Sequence, residues 1–314
     1  MLIPSEVDTT SYEGLTRLLR FGIRLRENPD DHAELDIVEK RLALPAYHPK
    51  YTGALEDYVR RLDELDHNQR FETVYNLIAG LLDEKERLGA ELTENLLRLV
   101  GGDRIVRFSF TPSLLICLYF AQNYKFVDGK RHPIFSIRYA GIGPDKALMA
   151  AASIFLNLPI YTESGLPWAE DVVFIDIDGD EEPNTESPDC EVSFPPPTFE
   201  KDNAPELEMS VRRSKLPRAV DRGRYDLESV MLDYLAGRST SPALVFVSQD
   251  FLSSTKQSRL LTRQLLIDNQ RIVGVKQLYN VKPPRFLVTL ASTSYLNDTV
   301  YMRLGFKHQV QRLI

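Results

Sequence analysis

Length, composition and charge limit what this chain can be. Its 314 residues are 43% hydrophobic and 26% charged, which is typical of a globular protein with room for one large domain or two ordinary ones. The formal net charge of −7 excludes a cationic field over the whole surface, so any contact with nucleic acid would need a local basic patch.

The amino terminus and the apolar runs indicate neither export nor membrane insertion. MLIPSEVDTT has no basic stretch followed by an apolar region, as a secretion signal would have. The strongest apolar run, LLICLYFA, is far shorter than the roughly 20 residues that span a bilayer. Cys117 and Cys190 lie far apart in apolar segments, and the five histidines are scattered without ligand spacing. We therefore expect a cytoplasmic protein without a metal site.

The first hundred residues are predicted to be helical. The stretch FETVYNLIAGLLDEKERLGAELTENLLRLV places Phe71, Val74 and Ile78 at helical spacing, and Gly101-Gly102 ends the pattern. The segments YEGLTRLLRFGIRL and TGALEDYVRRLDEL repeat the amphipathic pattern. These patterns predict a helical N-terminal domain over residues 1–103 and a second domain over residues 104–314.

Strand and helix patterns alternate after residue 103. TPSLLICLYFAQNY has Thr111 as a candidate N-cap and Pro112 at the first helical position. HPIFSIRYAG alternates as a half-buried strand does, GPDKALMAAASIFLNLP returns to helical spacing, and the acidic GDEEPNTESPD is typical of a surface loop. Further strand candidates are DVVFIDID, CEVSF, ALVFV, RIVGVKQL and RFLVTLAST, and further helix candidates are YDLESVMLDYLAG and KQSRLLTRQLLIDN. This alternation predicts an α/β fold with a doubly wound, mostly parallel sheet.

Several of these segments resemble the amino-group DNA methyltransferases that act on adenine, particularly the modification subunits of type I restriction systems. FTPSLL resembles the Thr-Pro helix that precedes the cofactor loop in that family, and YAGIGPDKALMAAASIFLNL is similar to the second strand and its helix. DCEVSFPPP is similar to the fourth strand and catalytic turn, and ALVFVSQDFLSSTKQSRLLTRQLLIDNQRIVGVKQLY to the fifth strand through the next one. The resemblance implies a Rossmann-like methyltransferase fold of seven strands with an antiparallel terminal hairpin, which RFLVTLAST and TVYMRLGF are expected to build.

The catalytic turn departs from the pattern of the family. There, an Asn or Asp side chain and the carbonyl of the next proline accept hydrogen bonds from the amine of a flipped base. The matching stretch here is Ser193, Phe194, Pro195 and Pro196, and a phenylalanine ring accepts no such bond. The resemblance therefore implies a vestigial motif, in which Phe194 and Phe199 are candidates for stacking on a base or for filling the vacated pocket.

The cofactor site departs from the family as well. The family's glycine-rich loop lets backbone amides approach S-adenosylmethionine closely, yet the interval AQNYKFVDGKRHPIFSIRY contains Gly129 as its single glycine. The acid that would hold the ribose matches Gly143, two residues after Gly141, unless Asp145 substitutes for it. We therefore expect no bound cofactor, with Gly141, Gly143 and Asp145 as vestigial positions.

The densest basic segment, RRSKLPRAVDRGR, follows the vestigial turn, where the family approaches DNA. A charge run of this kind is either a solvated surface or a set of phosphate contacts. The candidate DNA contacts are Arg212, Arg213, Lys215, Arg218, Arg222 and Arg224.

The sequence leaves three functions open. The first is a catalytically inactive, methyltransferase-like subunit that serves as a scaffold or DNA-contacting component of a DNA modification, restriction or phage-defence complex, with a protein partner and a possible contact to DNA. The second is an active S-adenosylmethionine-dependent DNA adenine methyltransferase with divergent motifs, which would use Asp145 or Asp128 for the cofactor. The third is an unrelated α/β protein-interaction module. Strand order separates the third from the others, because the family inserts an antiparallel seventh strand between the fifth and the sixth.

Overall fold

The computed structural model describes most of the α/β part and three of the N-terminal helices. The described residues are 8–26, 36, 40, 53–82, 93–94, 96–97, 100, 104–127, 130–141, 143–163, 173–175, 181–183, 188–196, 220–221, 224–237, 239–269, 271–278 and 285–292. The N-terminal helices are α1 (Tyr12–Leu25), α2 (Gly53–Asp63) and α3 (His67–Leu81). The predicted helical N-terminus is therefore present.

The remaining helices and strands alternate along the chain, and they include several strands that were not predicted, β1 and β5 among them. The helices are a short 3₁₀ turn (Thr111–Ser113), α4 (Leu114–Ala121), α5 (Pro144–Leu156), α6 (Leu227–Gly237), α7 (Gln249–Ser253) and α8 (Gln257–Asp268). The strands are β1 (Arg104–Ser109), β2 (Tyr124–Val127), β3 (Lys130–Pro133), β4 (Phe135–Ala140), β5 (Ile160–Glu163), β6 (Val173–Ile175), β7 (Glu181–Pro183), β8 (Cys190–Ser193), β9 (Val220–Asp221), β10 (Arg224–Tyr225), β11 (Ala243–Ser248), β12 (Ile272–Leu278) and β13 (Arg285–Leu290).

Nine strands form one mixed sheet in the order β12-β13-β11-β8-β1-β4-β5-β6-β7. Strand β1 lies parallel to both β4 and β8, and β4–β5 and β8–β11 are also parallel pairs. The first seven strands of this order make the predicted doubly wound sheet of a Rossmann-like methyltransferase fold. The two further strands, β6 and β7, extend it antiparallel beyond β5, so the segment that we expected to be a surface loop contributes β7.

The antiparallel strand at the other end of the sheet is present, but its predicted partner is wrong. Strand β13, from RFLVTLAST, lies between β11 and β12 and is antiparallel to both. Its hairpin is therefore made with RIVGVKQL and not with TVYMRLGF, because both of its edges are already paired. Residues 299–306, which carry TVYMRLGF, lie outside the described residues.

The sheet is covered on both faces by apolar side chains. One cluster of buried residues joins α1, α4 and α5 to Val106, Phe108 and Ile137 of the sheet. A second cluster packs α6 and α8 against the other face of β11 and β13. Strand β4 is buried along nearly its whole length, so it is not the half-buried strand that its alternation suggests. No helix in the described ranges is long and apolar enough to cross a membrane.

Helix α1 packs directly on α5, and its contacts show why. Ser11 accepts a hydrogen bond from the Gly14 amide and so caps the start of the helix. A Cβ atom at Gly22 would stand 2.5 Å from the ring of Phe155, so glycine permits the two helices to approach closely. The Arg26 guanidinium donates to the carbonyl of Phe155 and lies over its ring. These contacts hold α1 against α5, the helix that follows β4. The division of the chain into two domains at residue 103 stays a prediction.

Candidate functional site

The topology of the sheet locates a candidate site without reference to any motif. From β1 the chain moves outward to β4 and β5 on one side, and β8 and β11 lie on the other side. The direction of winding therefore reverses between β1 and β8. In open α/β sheets, ligands bind outside the carboxyl ends of the strands at this switch point. The candidate site consists of the segments that follow β1, β4 and β8.

The segment that follows β1 was assigned wrongly from the sequence. FTPSLL comes directly after the central strand of the parallel sheet, so it stands where the family has its cofactor loop and not where it has the preceding Thr-Pro helix. The interval in which we expected that loop instead forms the β2–β3 hairpin and leads into β4. Helix α4 starts at Leu114 with Ser113 at its N-cap, so Thr111 is not the N-cap.

The turn after β1 is closed by its own hydrogen bonds. Phe110 has a φ of 72°, a left-handed conformation that usually requires glycine. Its amide donates to the carbonyl of Ala140 at 3.1 Å, and its carbonyl accepts from the amide of Ser113 at 3.0 Å. Its ring is buried in the cluster formed by α6, α8 and β11. Two amides at this strand end are therefore already engaged within the protein.

The segment after β4 keeps the shape expected for a glycine-containing turn. Gly141 is buried, and a Cβ atom there would stand 2.5 Å from the ring of Tyr139. Gly143 has a φ of 53° and leads into α5, which begins at Pro144. Asp145 lies in the first turn of α5 and is buried. The structure therefore places Gly141, Gly143 and Asp145 at the carboxyl end of β4, the strand next to β1, and their assignment as vestigial cofactor positions stays a prediction.

The end of β8 and the segment after it contain Ser193, Phe194, Pro195 and Pro196, and the side chains of Ser193 and Phe194 are buried. Phe194 is buried and stacks on Phe246 of β11, with ring centroids 4.0 Å apart and planes 12° apart. The amide of Phe194 donates to the carbonyl of Ser109. Ser193 and Pro195 are also buried, and Pro196 is half-buried. Phe194 is therefore part of the core and is not presented to a base, and Phe199 lies outside the described residues.

Five of the six candidate DNA contacts lie in a segment outside the described residues. Arg212, Arg213, Lys215, Arg218 and Arg222 lie outside the described residues, as does Asp128. Arg224 begins β10, which forms a two-stranded hairpin with β9. The basic segment therefore stays a prediction, and Arg224 is the one candidate contact that the described residues include.

A buried ionic cluster on the sheet was not predicted from the sequence. Arg107 of β1 donates from Nε to Glu163 of β5 at 2.7 Å and from Nη1 to Tyr234 of α6 at 3.2 Å. Its Nη1 also lies 3.5 Å from Glu191 of β8. Ser239 donates to the same Glu191 carboxylate at 3.3 Å. Arg107 and both carboxylates are almost inaccessible to solvent.

The charges in this cluster depend on one another. Burial raises the pKa of Glu191, although the positive charge of Arg107 opposes that shift. Burial alone would lower the pKa of Arg107, but the charges of Glu163 and Glu191 outweigh it and raise the pKa. Burial likewise raises the pKa of Tyr234, assisted by Glu191. The cluster therefore holds a permanent cation between two carboxylates, and removing the cation would leave both without compensation.

The sequence signal that could have revealed this cluster is weak. Arg107 stands in RIVRFS, a segment with two arginines and a serine, and charged residues are rarely buried unless they are paired. Glu191 stands between Cys190 and Val192, which is a hint that it faces a partner, whereas Glu163 is followed by Ser164 and Gly165 and gives no such hint. Among the described side chains, no group of three or more His, Cys, Asp or Glu is placed to hold a metal ion.

Comparisons with known proteins agree with the fold. No protein-family model matches the sequence, and no curated protein matches it. A candidate class I S-adenosylmethionine-dependent methyltransferase from Listeria monocytogenes has a similar structure, with a TM-score of 0.50, 8% sequence identity and coverage of 90% of this chain and 87% of the other. The type IIG restriction endonuclease BpuSI aligns with a TM-score of 0.48 and 11% identity over 90% of this chain but 36% of its own. With the strand order, the first similarity shows that this chain has a methyltransferase-like fold.

Proposed function

We propose that this chain is a catalytically inactive, methyltransferase-like subunit that acts as a scaffold or DNA-contacting component of a DNA modification, restriction or phage-defence complex. The observation that carries the proposal is the stacking of Phe194 on Phe246 at 4.0 Å. At this strand end, methyl transfer to an amine needs a polar side chain that holds the amine. A buried ring in its place offers no acceptor and no room for one.

The residues at the switch point fit S-adenosylmethionine poorly. A cofactor loop has to present free backbone amides at close range, which is why such loops are rich in glycine. The turn after β1 contains no glycine, and the amides of Phe110 and Ser113 already donate to carbonyls of the protein. The described residues at the switch point therefore offer neither the free backbone amides that would hold the cofactor nor the polar side chain that would hold the amine.

The fold does not depend on a polar catalytic side chain or on a cofactor loop. The sheet is stabilised by its apolar clusters on both faces, and packing of this kind is decided by the apolar pattern of the strands and helices. A chain can therefore lose both sites and retain the surface that a partner recognises. Of the three functions left open by the sequence, the unrelated interaction module is disfavoured, because β13 lies between β11 and β12 as the methyltransferase order requires.

One observation favours the active alternative, a divergent adenine methyltransferase. Asp145 lies in the first turn of the helix after the second parallel strand, and Gly143 just before it has a positive φ. An acid at that place could accept hydrogen bonds from a ribose. The alternative requires that Phe110 and Phe194 leave their buried positions when the cofactor binds.

Isothermal titration calorimetry with S-adenosylmethionine separates the two proposals. We expect no measurable heat of binding by the chain as it stands. Micromolar binding that is lost in Asp145→Asn and kept in Asp250→Asn, a change at an exposed acid outside the switch point, would refute the inactive assignment.

The DNA-contacting part of the proposal has its own test. Charge reversal of Arg212, Arg213 and Lys215 to glutamate should weaken DNA binding and reduce its dependence on salt, because fewer counterions are released from the phosphates. Reversal of Arg17, Arg60 and Arg61, which are exposed on α1 and α2, is the matched control because it also changes three charges. An unchanged salt slope in the first variant would remove the basic segment from the interface.

A further inference from the structure

Strands β2 and β3 form a hairpin that stands apart from the main sheet. They pair with each other in a separate two-stranded sheet, between the end of α4 at Ala121 and the start of β4 at Phe135. Because β4 runs parallel to β1, the chain has to return to the amino ends of the parallel strands before β4 begins. The β2–β3 hairpin therefore lies at the edge of the sheet opposite the switch point.

The base of the β2–β3 hairpin is tied to the helix before it. The amide of Ile134 donates to the carbonyl of Asn123 at 3.0 Å, which continues the pairing of the two strands beyond Tyr124. The side-chain amide of Asn123 donates to the carbonyl of Tyr119 in α4 at 2.8 Å. These bonds give the hairpin a fixed attachment to the protein.

Exposed apolar and basic side chains occur together on the hairpin. Tyr124 and Val127 have exposed fractions of 39% and 41%, and Lys125 and His132 are also exposed. Lys125 and Val127 lie on the same side of β2, and Lys125 stands directly opposite His132 in β3. The segment YKFVDGKRHP contains three lysines or arginines and one acid, in a chain whose net charge is −7. The hairpin is therefore a local basic patch on an acidic protein.

We propose that the β2–β3 hairpin binds duplex DNA. The inference rests on the DNA-contacting part of the proposed function, but it assigns a contact to a surface other than the basic segment of residues 212–224. A chain with a net charge of −7 repels a polyanion over most of its surface. A polyanion is therefore attracted where basic residues outnumber acidic ones, as they do in the hairpin.

The dimensions of the hairpin favour duplex DNA over other anionic partners. Two paired strands lie about 4.8 Å apart, and a two-stranded ribbon of this kind fits the major groove of DNA, which is about 12 Å wide. Basic side chains then reach phosphates, while exposed apolar side chains such as Val127 contact the methyl groups of thymine. An anionic membrane would instead require a continuous apolar face, whereas the hairpin exposes two large apolar side chains among its described residues.

The salt dependence of DNA binding tests the proposal. The affinity of the full chain for a labelled duplex of mixed sequence is measured by fluorescence anisotropy over a range of salt concentrations. The variant Lys125→Ala/Lys130→Ala/Arg131→Ala should bind more weakly. Its plot of log affinity against log salt should be flatter by about 2–3, because each lost phosphate contact removes about 0.9 from the slope.

The matched control for this variant changes as many charges elsewhere. It replaces three arginines that are exposed on α1 and α2 with alanine, namely Arg17, Arg60 and Arg61. Its affinity and its salt slope should equal those of the wild type.

A single substitution beside the turn of the hairpin provides an independent test. Val127→Asp places a negative charge where the phosphates are expected and should weaken binding of the duplex. Val273→Asp adds the same charge on β12, at a valine with the same exposed fraction of 41%, and should bind as the wild type does. Circular dichroism of every variant checks that the chain is folded.

The outcomes separate this inference from the proposed function. If the hairpin variants bind DNA with the affinity and salt slope of the wild type while charge reversal of Arg212, Arg213 and Lys215 weakens binding, the hairpin is not a contact and the basic segment is. A wild-type chain that binds no duplex refutes the DNA contact at both surfaces. If poly-glutamate or phosphatidylserine vesicles bind the wild type as tightly as DNA and lose affinity in the same variants, the assignment to duplex DNA is wrong.

Discussion

The stacking of Phe194 on Phe246 predicts a large loss of stability for Phe194→Ala. The ring is 4% exposed, and its removal costs the transfer free energy of the buried atoms and the cavity that they leave, together about 3–5 kcal/mol for a phenylalanine. The lost stack with Phe246 is worth about 0.5–1.5 kcal/mol of that sum. Phe194→Leu keeps most of the volume and should cost less than about 1.5 kcal/mol.

Urea unfolding of the wild type, Phe194→Ala, Phe246→Ala and the double variant measures these quantities. The double-mutant cycle should show a coupling free energy of about 0.5–1.5 kcal/mol, because the two rings are in contact. If the ring of Phe194 were instead exposed so that it could stack on a base, Phe194→Ala would change the unfolding free energy by less than about 0.5 kcal/mol, as surface substitutions do. That result would refute the assignment of the ring to the core and remove the main support for an inactive site.

Two further predictions concern the buried ionic cluster. Arg107→Met should lower the unfolding free energy at neutral pH by about 3–5 kcal/mol, because Glu163 and Glu191 lose their common cation. Arg17→Met, which breaks an exposed ion pair on α1, should lower it by less than about 1 kcal/mol. Equal losses for the two variants in urea unfolding would contradict a buried network. Glu191→Gln should flatten the dependence of stability on pH. Since burial raises the pKa of Glu191 above its ordinary value of 4.5, the stability that this group contributes is complete below pH 4.5 and is lost as the pH rises through the folded-state pKa. The variant should therefore gain on the wild type as the pH rises above 4.5, and parallel stability curves would show that Glu191 does not titrate in this way.

Several strands could be predicted from short runs that are rich in apolar residues. ALVFV is apolar throughout and CEVSF is so apart from Glu191 and Ser193, and they form the adjacent parallel strands β11 and β8. Their order in the sheet followed from the resemblance and was confirmed. The apolar pattern is sufficient in these cases because burial alone selects the conformation and leaves no competing assignment.

The central strand could not be predicted in this way. β1 carries Arg107 in its middle, and a charge at that position argues against a buried strand unless its partners are known. Those partners, Glu163 and Glu191, are 56 and 84 residues away in the chain. Because β1 was not predicted as a strand, FTPSLL, which follows it, was assigned to the helix that precedes the cofactor loop. The cofactor loop was then expected in the segment that forms the β2–β3 hairpin.

The terminal hairpin and α8 show two other limits of the sequence. RIVGVKQL and TVYMRLGF are both strand-like, and pattern alone does not decide which of them pairs with β13. In α8 the period of 3.6 residues was recognised, but the period does not say which side faces the core. Arg259 and Arg263 lie on the inner side because Asp226 and backbone carbonyls receive them, which is a tertiary effect.

The candidate site is held together by contacts within the chain, and this bears on its function. Phe194 is fixed by Phe246, and β1, β5 and β8 are joined beneath the switch point by Arg107 and its two carboxylates. A site that is completed by a ligand leaves groups for that ligand to satisfy, so the folded state gains stability when the ligand is added. Here the backbone amides of Phe110, Ser113 and Phe194 already donate to protein carbonyls, and the hydroxyls of Ser109 and Ser193, which have no hydrogen-bond partner at these strand ends, are fully buried. The thermal midpoint of unfolding should therefore be the same with and without S-adenosylmethionine, whereas an active methyltransferase would unfold at a higher temperature when the cofactor is present.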